Sequence, residues 1–143
     1  MTYLLDSCIL SALRKIKAHP QPKLLSWFKA HPSSDYFISS ITVGEIERGI
    51  AKLSADHPAK MALENWFHGE LLPQFADRIL SLDKVAAMRW GRICAECEKR
   101  GKTLPICDGQ IAAIADQNNL IVVTFNTKDF CGVVECIDPR FCT

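Results

Sequence analysis

The run "LIVVTF" at residues 120–125 constrains the fold of this chain more than any other stretch. It is short, uninterrupted and largely β-branched, the composition of a strand buried on both faces. Such strands belong to parallel sheets with helices packed on either side. Tyr3 to Leu5 reads as another short buried strand, and "YFIS", "RILSLD" and "VVECI" as further ones. Helical spacing fills the gaps between all but the last two. This alternation predicts a three-layer α/β/α domain with a mainly parallel central sheet, a single domain over residues 1–143. In such sheets functional residues gather where strands end at their carboxyl edge.

The helices are punctuated in the usual ways. One is expected from Ser7 to Lys17, ended by "HPQP", and a second over "KLLSWFKAH". Thr42 opens "TVGEIERGIAKL", where Val43, Ile46, Ile50 and Leu53 recur at helical spacing. Asp56 to Pro58 predicts another start, with Asp as cap and Pro in the first turn. From Lys84 to Arg100 the apolar face is read as Val85, Met88, Ile93 and Cys97, with Gly101 as the stop. Asp108 heads a small-residue helix closed by the pair Asn118-Asn119.

Composition narrows the class. A chain of 143 residues with 48% hydrophobic content can bury about 70% of its unfolded surface without a disulfide or metal staple. The net charge of +1 carries no hint of a nucleic-acid partner. Local clusters such as Arg14-Lys15-Lys17 and Lys99-Arg100-Lys102 would have to supply any phosphate contacts, and each is equally at home as a solvated helix end. No apolar run approaches the ~20 residues that span a bilayer, and no signal-peptide layout is present, so a cytoplasmic location is expected. Seven cysteines, an odd number without an export signal, read as reduced thiols, most of them small core residues.

Asp6 stands out. It falls between the apolar run Tyr3–Leu5 and the helix that follows, where an unpaired carboxylate is costly. Asn126 and Asp129 follow "LIVVTF" in the same way, and Glu45 and Asp108 lie near helix starts. Each acid alone could be a cap, and Thr42-x-x-Glu45 has the form of a capping box. As a set embedded in apolar sequence, the acids read differently. Crowded carboxylates repel one another and take up protons unless a cation joins them. Oxygen-only ligands suit Mg²⁺ or Mn²⁺, and the chemistry that such a site supports best is phosphodiester hydrolysis by an activated water.

The segments "YLLDSCILSALRK", "ISSITVGEIERGI", "LPICDGQIAAIA" and "VVTFNTKDF" occur in the order and at about the spacing of the PIN-domain ribonucleases. In particular the chain resembles toxins of the VapC type and their FitB-like relatives, over nearly its whole length. The resemblance implies a PIN-like fold and an RNA-cleaving activity that uses Mg²⁺ or Mn²⁺. Carried over by position, it makes Asp6, Glu45 and Asp108 the core acids, Asn126 the fourth position and Asp129 part of the accompanying Thr124-x-Asn126-x-x-Asp129-Phe130 pattern. Ser7 would orient Asp6 or a metal-bound water. Asn126 is expected to serve a second, weaker metal or a water, and Asp129 to shape its loop through backbone hydrogen bonds, with Phe130 as anchor. Two departures stand out, Cys8 for the usual Asn or Ser and Gly109 for a common Ala. The resemblance also implies a homodimer and a cognate antitoxin that covers the acidic groove.

Other functions compete. The same acids would serve a structure-specific DNA nuclease, and a FitB-like partner protein that binds nucleic acid with little catalysis would carry the same segments. Cys94-x-x-Cys97 invites a zinc reading with Cys131, Cys136 and Cys142, but lies within a helical pattern. Trp27, Trp66 and Trp90 could stack bases, yet helical spacing among apolar neighbours favours core packing.

Overall fold

A computed structural model describes residues 1–142. Five strands form one all-parallel sheet in the order β3-β2-β1-β4-β5: β1 (Tyr3–Leu5), β2 (Tyr36–Ser39), β3 (Ile79–Leu80), β4 (Ile121–Val123) and β5 (Cys136–Ile137). The expected mainly parallel sheet is thus parallel throughout. β1 is central, and its register pairs Tyr3 with Ile121, Leu4 with Val122 and Leu5 with Val123. Side chains alternate across this pair. Tyr3, Leu5, Ile121 and Val123 enter one core with Ile9, Leu24, Phe67 and Phe75, while Leu4 and Val122 enter a second with Ile111, Ile114 and Phe130. Both faces being covered is why these strands carry no polar alternation.

The helices are α1 (Ser7–Arg14), α2 (Pro22–Lys29), α3 (Ser40–Ala51), α4 (Lys60–Trp66), the short α5 (Leu72–Gln74), α6 (Lys84–Lys99), α7 (Ile106–Gln117) and α8 (Thr127–Phe130). A π-helical turn, Phe67–Leu71, joins α4 to α5, with Pro73 in the first turn of α5. α1 ends at Arg14, one turn short of the sequence expectation. Asp56 caps nothing. α4 starts at Lys60, and the Ala59 N–H donates to His57 Nδ1 at 3.1 Å. Gly101, with φ of +75°, ends α6 as expected.

Two packing expectations need correction. On α6 the inward face runs through Ala86, Trp90, Ile93 and Cys97, so Val85 and Met88 point outward at 45% and 48% exposure. The cysteines are mostly outside the core. Cys97 is buried, while Cys107, Cys131 and Cys142 are exposed and Cys8, Cys94 and Cys136 half-buried. Trp27 is core, ringed by Tyr3, His31 and Tyr36.

α6 and α7 meet closely at Gly109. A Cβ built there would lie 3.0 Å from both Trp90 Cδ1 and Nε1 and 3.2 Å from Leu104 Cδ2. The indole occupies the room that an alanine methyl would need. Gly109→Ala is therefore expected to cost about 1–3 kcal/mol by overpacking. In a Trp90→Leu background the same change should cost less, which urea melts of the four proteins in the cycle would measure.

Candidate active site

The β1–β4 register carries directly into the site. Asp6 follows β1, and its N–H donates to Val123 O at 3.0 Å, continuing the parallel pairing by one residue. Thr124 therefore stands beside Asp6. The Thr124 hydroxyl, fully buried, donates to Asp6 Oδ2 at 2.8 Å. Asp6 Oδ1 accepts from the Ser7 N–H at 2.8 Å, which makes Asp6 the N-cap of α1. With 8% of its surface exposed, Asp6 is thus held by donors from the chain itself, the Cys8 thiol being a third and weaker one. The Ser7 hydroxyl makes no hydrogen bond among the described residues.

The capping explanation fails for the other acids. Ser39 caps α3, its hydroxyl accepting from the Thr42 N–H at 3.0 Å, so Thr42 lies inside the helix and Glu45 falls in the second turn. The alternative Thr42-x-x-Glu45 capping box does not form. Glu45 Oε1 is buried and has no hydrogen-bond partner among the described residues. Pro105 is the cap residue of α7, leaving the Asp108 carboxyl in the first turn without a capping bond. Asn126 begins α8, and its Nδ2 donates to Asp129 Oδ2. The Asn126 N–H donates to Thr124 Oγ1 at 3.1 Å, tying this loop to the strand end that meets Asp6.

Asp129 Oδ2 accepts from the Asn126 side chain, and the Asp129 carboxylate is among the groups that raise Asp108 on α7. Phe130 beside it is fully buried, as an anchor should be. Cys8, the departure noted above, sits under the cluster. Its Sγ lies 3.8 Å from Asp6 Oδ2 and 3.6 Å from Thr124 Oγ1, and accepts from the Phe125 N–H at 3.5 Å. Burial pushes its thiol above the usual range, which keeps it protonated beside Asp6.

The PIN domain family matches residues 3–134. The chain belongs to this family. It is 32% identical to the VapC ribonuclease Y4jK of Sinorhizobium fredii over 126 residues, 88% of each chain. It is 32% identical to Toxin FitB of Neisseria gonorrhoeae over 127 residues, 89% of each. Among solved structures, FitAB bound to an IR36 DNA fragment superposes with a TM-score of 0.90 at 29% identity, covering 99% of this chain and 98% of that one. FitAcB from Neisseria gonorrhoeae gives 0.86 at 30%, covering 99% and 100%.

In this PIN domain the acids are neighbours in an open crevice. Among the described residues no three His, Cys, Asp or Glu side chains are drawn into a closed coordination shell. Nor does any Lys or Arg among them form an ion pair with Asp6, Glu45, Asp108 or Asp129. The electrostatic result is uptake of protons. Burial, then the hydrogen bond to Asp129 and the charges of Asp6, Asp129 and Glu45, push Asp108 from 3.8 up to about 7. Burial and Asp6 raise Glu45 as well. A cavity of about 450 Å³ between α3 and α7 opens beside Glu45, lined by Arg48 and Lys52. Neither cation was singled out from sequence, although 45, 48 and 52 share one helical face, a readable signal.

A raised carboxyl pKa binds its proton more tightly in the folded than in the unfolded chain. Asp108 accordingly contributes stability at low pH that is lost as pH rises between about 4 and 7. Urea midpoints of the metal-free protein should fall across that window, and Asp108→Asn should flatten the decline. The variant should be as stable as the parent at the acid end and more stable near neutrality.

Proposed function

We propose that this PIN domain is a Mg²⁺- or Mn²⁺-dependent endoribonuclease toxin held silent by a cognate antitoxin. The observation that carries the reading is the crevice itself. Four carboxylates from four separate segments crowd there with no ion-pairing cation among the described residues, and one buried oxygen, Glu45 Oε1, lacks any donor. Such a set fits a hard divalent cation, which takes oxygen ligands and removes the repulsion. Asp6, Glu45 and Asp108 would hold it, with Asn126 and Asp129 completing the ligand set. When bound, the cation supplies a lowered water pKa and charge stabilisation for phosphodiester hydrolysis.

The chain's own residues do the positioning. Thr124 and the Ser7 N–H fix the Asp6 carboxylate while leaving lone pairs on both oxygens. Asn126 holds the Asp129 carboxylate through its Nδ2, and Thr124 holds the Asn126 backbone. The relatives named as ribonucleases support the RNA assignment, and the FitAB and VapBC complexes among the structural neighbours support an antitoxin partner. An arginine from that partner, with its planar fork, is the natural cation to enter among the acids in place of the metal. A second copy of this chain belongs to the same reading, and exposed Val85 and Met88 supply apolar surface for it. No helix among the described residues is long and apolar enough to cross a membrane.

Purified protein incubated with RNA tests this. Cleavage should require Mg²⁺ or Mn²⁺, leave 5′-phosphate and 3′-hydroxyl ends, and disappear in Asp6→Asn and Asp108→Asn. Undiminished cleavage in EDTA, or 2′,3′-cyclic phosphate products, would contradict the mechanism. Cleavage of single- or double-stranded DNA in preference to RNA would move the chain to the DNA-nuclease reading, and metal-independent binding without cleavage to the partner-protein one.

A further inference from the structure

We infer that the RNA strand crosses helix α3 at Gly49, its phosphates held by Arg14 and Lys15 on one side and by Arg48 and Lys52 on the other. This rests on the nuclease reading above and adds the path of the substrate. Two cavities flank α3. One, of about 450 Å³, lies toward α7 and is lined by Arg48, Lys52 and Gln110. The other, of about 250 Å³, lies toward α1 and α4 and is lined by Ser7, Arg14, Lys15 and Trp66. Glu45 and Gly49, one helical turn apart, line both. Glu45, one of the clustered acids, therefore has cations on each side of it, in cavities joined over a single turn of helix.

Gly49 is what makes the two cavities one trough. It is exposed, in the interior of α3, and a Cβ there would meet nothing within 4 Å. Glycine weakens a helix relative to alanine, and neither packing nor a left-handed φ requires it here. Its effect is to lower the ridge of α3 beside Glu45, so that a backbone can pass close to the acids.

The four cations are available. Among the described residues none of Arg14, Lys15, Arg48 or Lys52 is in an ion pair or donates a side-chain hydrogen bond, while Arg89, Arg140 and His68 each have an acidic partner. All four are exposed. Arg14 lies over the Trp66 ring at 5.6 Å, giving that end of the trough a planar surface on which a base can stack. Cations on both flanks of a negatively charged centre suit a polyanion that must be drawn across it.

Binding of a fluorescein-labelled single-stranded 12-mer RNA in EDTA, followed by anisotropy, tests the path separately from catalysis. Arg14→Ala with Lys15→Ala, and Arg48→Ala with Lys52→Ala, should each weaken binding about tenfold and flatten the log–log salt dependence by about 0.7 per cation removed. Gly49→Leu should weaken binding by at least as much while its melting temperature stays level or rises. Lys23→Ala with Lys29→Ala, on α2 and outside both cavities, should change binding less than twofold. The inference is overturned, with the nuclease reading intact, if metal-dependent cleavage still requires Asp6 and Asp108 while the trough variants bind and cut as the parent does. It is also overturned if a Glu-rich 12-mer peptide displaces the RNA at equal concentration. RNA bound through these residues but cleaved with no divalent cation present or added would support the path and remove the nuclease reading.

Discussion

Parallel pairing of β1 with β4 is the contact on which the rest of the structure depends. These two strands lie where the sheet order β3-β2-β1-β4-β5 reverses, the point at which crossovers depart to opposite sides and leave a crevice at the carboxyl edge. Because Leu5 pairs with Val123, the next residues, Asp6 and Thr124, are brought side by side. A slip of one residue would turn both cores inside out and separate the Asp6 carboxylate from its hydroxyl donor. The fold's main hydrophobic contact and the site's first hydrogen bond are therefore one constraint.

Against that stabilising frame the site stores repulsion. Asp108, pushed up to about 7 by burial and by Asp129, Asp6 and Glu45, holds its proton far more tightly than a free carboxyl, as like charges at short range in a partly desolvated site require. The strain is spread over four elements, so no single helix must carry it: Asp6 follows β1, Glu45 is on α3, Asp108 on α7 and Asp129 on α8. Two of the four have no local structural task. Glu45 and Asp108 cap nothing, and their positions are explained only by what they face.

The departures from the relatives' pattern also find physical partners. Gly109 is matched to Trp90, whose indole fills the missing methyl's place and leaves its buried N–H without an acceptor among the described residues. Cys8 replaces a harder polar group with a thiol that still lies within reach of Asp6 and Thr124. Both changes sit one layer behind the carboxylates, where they alter support and leave the acids themselves in place.

Strand positions, the three-layer arrangement and the separated acids were legible in the sequence, because two-sided burial forces uninterrupted apolar strands and a carboxylate in such a setting needs a reason. Helix starts were less so. Ser39 and Thr42 are both good caps three residues apart, and only the end of β2 decides between them. The inward face of α6 is as expected at Ile93 and Cys97 but differs in its first half, where Ala86 is buried and carries less of a hydrophobic signal than the exposed Val85 and Met88. What the sequence determined by itself is the set of carboxylates and the strands that end beside them, both consequences of local composition. Which acids raise one another, and that cations at the end of α1 and on and just after α3 flank Glu45, depend on distances between residues far apart in the chain. Those distances exist only once the sheet register and the helix packing are set.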